Sequence, residues 1–275
     1  MSAGNIQETV SSSVKDGIGT LTLNRPESFN SISVAMLEVL IKKLDTLLKD
    51  DNVQAIILTG AGKAFCAGAD QAEMVERSAQ EWEFLVERYL VPVRMISAAD
   101  KPVIAALNGD TVGGGLGLAI CCDMRVAVDT ARFCAPFTAI GLAGCDMSCG
   151  YFLPRLVGMG RATEMMMTAR LVGAEEAERT GLVNRIVPAD QLAGAAQKLA
   201  QRLAQTSPVA MGWTKRAIRR SMDLDMNSEF DYEVLAQVQC LQTSEHKDAL
   251  RRYQETMMGK SRETGNARIS EEPSS

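Results

Sequence analysis

Apolar and polar positions along the chain switch repeatedly between a two-residue and a helical period, and the switches outline an α/β protein. Ile18 to Leu23 (IGTLTL) alternates as a half-buried strand does, and Asn24-Arg25-Pro26 ends it. Val34, Leu37, Val39, Leu40, Ile41, Leu44, Leu47 and Leu48 then fall at helical spacing behind Ser33, a suitable N-cap. Val53 to Thr59 (VQAIILT) predicts a second strand, closed by Gly60-Ala61-Gly62. The order strand, helix, strand implies parallel pairing. Glu73 to Ser97 reads as helix interrupted near Pro92, with Trp82, Leu85, Val86 and Tyr89 as an apolar stripe suited to core or pocket wall. Val103 to Leu107 and Met124 to Val128 predict buried strands, and Leu116 to Cys122 a buried helix between them. Arg161 to Thr168, Ala174 to Thr180 and Gln191 to Gln205 read as short helices, Gly181 as a helix stop, and Val183 to Val187 as a last strand.

After Pro208 the pattern is helical only, from Val209 to Met222 and from Glu229 to about Met258, with Met222, Met226, Leu235, Val238 and Leu241 giving apolar faces. The chain therefore divides into a core over residues 1–205, a helical region over 206–258 and a polar end, 259–275, whose few bulky apolar residues predict disorder. At 275 residues, 46% of them hydrophobic, the chain can bury a full-sized core. A formal charge of −5 gives no reason to expect a nucleic-acid surface. No apolar run is long enough for a membrane span, and the polar start (MSAGNIQETVSSSVKDG) and Pro-Ser-Ser end carry no secretory or peroxisomal address, so a cytoplasmic location is expected. Seven cysteines, several in apolar runs and none in a CxxC pair, predict reduced and mostly buried thiols. His246 is the single histidine, so no metal site is expected and any histidine-activated nucleophile depends on it alone.

The stretch from Lys101 to Asp123 (KPVIAALNGDTVGGGLGLAICCD) holds the first candidate chemistry. Glycines at a helix start leave backbone N–H groups unshielded where the helix dipole favours negative charge, so Gly113-Gly114-Gly115 can bind an anion or a developing oxyanion. Tight packing of helix on sheet accounts for a lone glycine cluster equally well. Small residues from Ala67 to Ala69 also allow a close approach to the backbone, and a plain turn is the alternative. Neither stretch fits a nucleotide motif. Ala64 and Ile57 stand where a phosphate loop needs Ser/Thr and glycine, and Leu118 breaks the dinucleotide fingerprint. Asp146 lies in apolar company (GLAGCDMSCG), where a carboxylate needs partners or a raised pKa. Taken alone, a capping aspartate is the simpler account of it.

Together, NRPESFN (Asn24 to Asn30), AIILTGAGKAFCAGAD (Ala55 to Asp70), the triple-glycine stretch, LPRLVG (Leu153 to Gly158) and AEEAERTGLVNRIV (Ala174 to Val187) resemble the enoyl-CoA hydratase/isomerase, or crotonase, family over residues 10–260. The resemblance implies an α/β spiral of ββα units, a C-terminal helical trimerisation region, a homotrimer or dimer of trimers, and an acyl-CoA substrate. Coenzyme A enters as part of that substrate, and no prosthetic group is implied. By position, Ala69 and Gly114 match the two backbone N–H donors that hold the thioester oxygen as it becomes an enolate. Ala67, Asp70 and Gln71 match the segment lining the CoA nucleotide, and Arg25 lies near the pantetheine path.

The departures from the family pattern bear on the reaction. Family hydratases carry two glutamates; here Gly117 and Phe137 occupy those positions, so hydration by that pair is not expected. Asp146 falls where the family's double-bond isomerases carry a carboxylate. The expectation is an enoyl-CoA isomerase with Asp146, its pKa raised, as proton shuttle. The alternatives are hydration, hydrolysis or retro-aldol cleavage of an unusual acyl-CoA, with Asp146 or Asp110 orienting water, and a non-catalytic acyl-CoA binder. Cys145 and Cys149 read as pocket lining.

Overall fold

In the computed structural model, which describes residues 9–221 and 223–255, the chain enters as a hairpin. Strands β1 (Val10–Lys15) and β2 (Ile18–Leu23) pair antiparallel around Asp16 and Gly17, both at positive φ. Such two-residue loops match the twist of the strands they join. Helix α1 (Val34–Lys49) starts at Ser33, whose hydroxyl accepts from the Met36 N–H, and buries Met36, Leu37, Leu40, Leu44 and Leu47.

Three passes of one pattern follow. Strand β3 (Ala55–Gly60) leads to the short β4 (Ala64–Cys66) and helix α2 (Ala79–Ala98). Strand β5 (Val103–Leu107) leads to β6 (Asp110–Val112) and helix α3 (Gly114–Cys121). Strand β7 (Met124–Val128) leads to β8 (Arg132–Cys134) and helix α4 (Cys149–Val157). Helix α5 (Met159–Thr168), strand β9 (Val172–Gly173), helix α6 (Ala174–Arg179), strand β10 (Arg185–Val187) and helices α7 (Leu192–Ala204), α8 (Pro208–Arg220) and α9 (Met226–Leu241) complete the order. The first strand of each pass joins a six-stranded sheet, β1-β2-β3-β5-β7-β10, and the second joins a four-stranded sheet, β4-β6-β8-β9. The chain therefore winds as a spiral, parallel within each sheet except at β1 and β9. Every residue of β5 is buried, as a strand covered on both faces must be, which is why its sequence is a continuous apolar run.

Several boundaries differ from the expected ones. Helix α2 starts at Ala79, not Glu73, behind a Ser78–Glu81 capping box. Gln71–Glu73 instead forms a separate turn capped by Asp70, and the Glu73 carboxylate accepts the Val34 N–H at 2.7 Å. Pro92 does not interrupt α2. It is buried with Leu85, Tyr89, Val93 and Ile96, and that packing outweighs one lost N–H bond. The last predicted helix is two: α9 ends at Leu241, and residues 244–255 are helical behind Thr243, whose hydroxyl accepts the His246 N–H. The predicted disordered end, 259–275, lies outside the described residues. Gly181, at φ +83°, follows α6 and donates to the Glu178 carbonyl, as a helix stop does.

The described chain separates into two compact units, one ending at Lys215 and one beginning at Arg216. In the second, Arg220 lies over the Tyr232 ring at 4.9 Å, and Ala236 alone of α9 is buried. No helix among the described residues is long and apolar enough to cross a membrane. Near the end of the first unit, the Lys215 ammonium, 5% exposed, sits 2.8 Å from Asp123 and donates to the Lys101 carbonyl. Asp123 also accepts the Val103 N–H at the entry to β5. Removing one partner of a buried ion pair strands the other charge. Lys215→Met should thus cost about 3–5 kcal/mol of unfolding free energy; denaturant titration checks it, and a loss under about 1 kcal/mol would mean that the pair contributes little.

Candidate active site

The site is built where α3 begins. Gly113 (φ +54°) turns the chain and donates to the Cys134 carbonyl, and Gly114 is the first helical residue, with no carbonyl of its own helix to bond. A Cβ at Gly115 would lie 2.3 Å from the Cys66 carbonyl oxygen, and one at Gly68 (φ +95°) 3.1 Å from the Gly114 nitrogen. Only glycines let these two backbones meet. On the facing segment, the Gly68 carbonyl accepts from Ile32 at 2.7 Å and the Asp70 N–H donates to the Ile32 carbonyl at 3.0 Å. That clamp leaves the Ala69 N–H between them free. Among the described residues, neither the Ala69 nor the Gly114 N–H has a protein acceptor. Two backbone donors on adjoining segments can receive one oxygen that is gaining negative charge.

A second network fixes the rim. The Arg25 guanidinium donates to Asp70 and to the Ser31 carbonyl, each at 2.8 Å, and holds the Asp70 carboxyl below the usual carboxylate range. Fully buried Asn30 (φ +56°) donates to the Ala61 and Ala64 carbonyls and accepts the Arg25 N–H. Arg25 and Asp70 are thus in direct contact, with exposed Ala67 and Gln71 on either side of the Gly68–Asp70 turn.

Asp146 lies in the turn before α4. Its backbone is held by the Ala143 carbonyl and the Cys149 N–H, and its carboxylate accepts the Met147 N–H at 2.8 Å. Burial pushes the Asp146 carboxyl up, against the smaller lowering effect of that bond. Met147 (φ +48°) and Ser148 (φ +66°) are both left-handed, an uncommon conformation for either residue. Their turn is shaped to α3. A Cβ at Gly117 would lie 2.3 Å from the Met147 carbonyl oxygen and 2.6 Å from its Cβ. The Met147 side chain reaches Gly114, with Cγ and Cε each 3.6 Å from that residue's absent Cβ. Asp146 is thereby tied, through its neighbour, to the helix turn that presents the Gly114 donor.

The other candidates are occupied elsewhere. Asp110 forms a two-bond fork with Arg132 at 2.9 and 2.6 Å, on the surface. Burial raises the Cys149 thiol to about 12, so it is no nucleophile at neutral pH, whereas Cys145 is exposed. Phe137 is buried, its ring edge 3.9 Å from the absent Cβ of Gly113. No cluster of three metal-ligating side chains occurs among the described residues. Sequence reasoning gives Asn30 and Met147 no role and reads Tyr89 only as part of an apolar stripe, whereas its buried hydroxyl donates to the Ile32 carbonyl. Asn30 alone left a signal, as the last residue of NRPESFN.

The profile of the enoyl-CoA hydratase/isomerase family matches residues 13–261. The chain is 37% identical over 238 residues to a short-chain-enoyl-CoA hydratase of Clostridium acetobutylicum, covering 86% of this chain and 91% of that protein. It is 34% identical over 236 residues to a 4-chlorobenzoyl coenzyme A dehalogenase of Arthrobacter sp., covering 84% and 85%. The crystal structure of an enoyl-CoA hydratase from Bacillus anthracis superimposes with a TM-score of 0.86 at 32% identity, over 90% of this chain and 96% of that one. The spiral of ββα passes is thus the crotonase-like α/β fold.

Two measurements test the geometry without assuming a reaction. Gly117→Ala should cost about 1–3 kcal/mol, because the new methyl overlaps a backbone carbonyl; thermal melts should show a Tm lower by roughly 2–12 °C. An unchanged Tm would mean that the Met147 turn yields freely. Asp146 has a folded pKa above its unfolded value, so ionisation opposes folding above the ordinary carboxylate range. Asp146→Asn should therefore raise Tm near neutral pH, and the gain should fade in acid, where both states are protonated. A gain constant across pH would trace to something other than ionisation.

Proposed function

The chain belongs to the enoyl-CoA hydratase/isomerase family, and from that premise we propose that it moves the double bond of an enoyl-CoA between C3 and C2. The thioester oxygen sits on the Ala69 and Gly114 N–H groups. The Asp146 carboxylate removes a proton from C2, the electron pair passes into the C1 carbonyl as a dienolate, and the same carboxyl returns the proton at C4. One oxyanion donor typically contributes about 2.7–4 kcal/mol to such a transition state. The raised Asp146 pKa suits a group that must take and give a proton near neutrality. Coenzyme A runs along the rim of Arg25, Ala67, Asp70 and Gln71. The chain works in the cytoplasm. It assembles as a homotrimer or dimer of trimers, a reading supported by Phe230, Val234, Leu235 and Val238, all exposed on α9.

The observation that carries this reading is the contact of Gly117 with Met147. It removes one water-holding glutamate of the hydratase pattern and fills its space with protein, while Phe137 replaces the other. Asp146 remains, a half-buried aspartate with no cation paired to it among the described residues. A second reading draws on the Arthrobacter relative, named as a dehalogenase. A lone carboxylate beside an oxyanion site can also attack an activated ring carbon. Release of chloride from 4-chlorobenzoyl-CoA separates the two.

The test is exchange of C2 protons of butyryl-CoA in deuterated water beside a 3-enoyl-CoA isomerase assay, native chain against Asp146→Ala. Both rates should fall by about 10²–10⁴ in the variant while the ester still binds. A variant with native rates would remove Asp146 from the mechanism. Binding without exchange or isomerisation by the native chain would favour a non-catalytic binder or an unusual substrate.

A further inference from the structure

Three contacts converge on Met147. Its carbonyl and Cβ occupy the space that the missing Gly117 side chain leaves, and its N–H bonds Asp146. Its Cγ and Cε are, with the Gly68 Cα, the atoms nearest the open face of Gly114. The side chain is buried, with 4% of the residue exposed. It cannot withdraw toward α3, because its own backbone already fills the gap at Gly117.

An oxygen held by the Gly114 N–H lies about 3 Å from that nitrogen. The carbonyl carbon and C2 of the same acyl group follow within two bonds, within reach of the groups beside Gly114, among them the Met147 thioether. We infer that Met147 is the specificity-determining residue at C2 of the acyl chain: it admits an unbranched thioester and rejects one with a C2 substituent. This deepens the acyl-CoA reading above and rests on it. In a close-packed wall, one added methyl group must displace protein atoms that have nowhere to go. A methylene-sized difference in an apolar pocket is typically worth 10–200-fold.

Equilibrium binding, which needs no turnover, tests the assignment with the full-length chain and two probes, butyryl-CoA and 2-methylbutyryl-CoA. The native chain should prefer the straight ester by about tenfold or more. Met147→Ala should cut that preference to about threefold or less by binding the branched ester better, and Met147→Leu, of similar volume, should keep it. Equal binding of both esters by the native chain, or an undiminished preference in Met147→Ala, overturns the inference. Failure of the native chain to bind either ester instead overturns the acyl-CoA reading beneath it. If Met147→Ala does not fold, methionine-methyl NMR of the native chain decides. The Met147 resonance, assigned through Met147→Leu, should shift on adding butyryl-CoA, and a resonance that stays in place overturns the inference.

Discussion

Two backbones touch at the start of α3, and most of the molecule is arranged so that they can. Gly115 lies against the Cys66 carbonyl at a separation that no Cβ tolerates, and Gly68, at a φ of +95° that favours glycine, lies against the Gly114 nitrogen. The contact joins the end of β4 to the helix that follows β6, neighbours in the smaller sheet. Each pass of the spiral delivers one segment there: the first brings Ala69 and the second brings Gly114. The third brings Asp146, on the loop between β8 and α4. Register in the large sheet sets these segments side by side, and the buried β5 between β3 and β7 holds that register.

The candidate site is also where the structure departs most from comfortable chemistry. Met147 and Ser148 occupy the left-handed region together, at about 1–3 kcal/mol each. Among the described residues, Asp146 is partly removed from water without an ion-pair partner, and the Ser148 hydroxyl is buried without a hydrogen-bond partner. The opposite policy holds at the rim, where Arg25, Asn30, Ser31 and Asp70 satisfy one another. The rim is built for rigidity, whereas burial at the Asp146 turn favours the neutral carboxyl.

Much of this was legible in the sequence, because periodicity reports burial directly. Strands β2, β5 and β7 and helix α1, with its Ser33 cap, stand where their patterns put them. The strands of the second sheet were not legible. With two or three residues each in β4, β6, β8 and β9, they are too short to carry a period and exist only because the spiral lays them together. Strand β1 was hidden for another reason: at an edge, every residue after Val10 is exposed, so VSSSVK shows no apolar face. The raised pKa of Asp146 followed from its apolar neighbours. Its tie to Gly114 did not, since Met147 acts through backbone geometry that no residue code announces. Asp110, one option for orienting water, looked available until Arg132 was seen to hold it.

The contact between Gly117 and Met147 also constrains how a chain of this kind can change over evolutionary time. Position 117 is where hydratases of the family resemblance carry a catalytic glutamate, yet here its space is filled by another segment's main chain. A single codon change to glutamate would place a side chain where the Met147 carbonyl lies and displace the turn that carries Asp146. The two backbones are therefore separated by an epistatic barrier: the turn must be remodelled first, and only in that background is the glutamate tolerated. Related sequences that carry a side chain at this position should also differ in the loop that bears Asp146, so the two segments diverge as a pair.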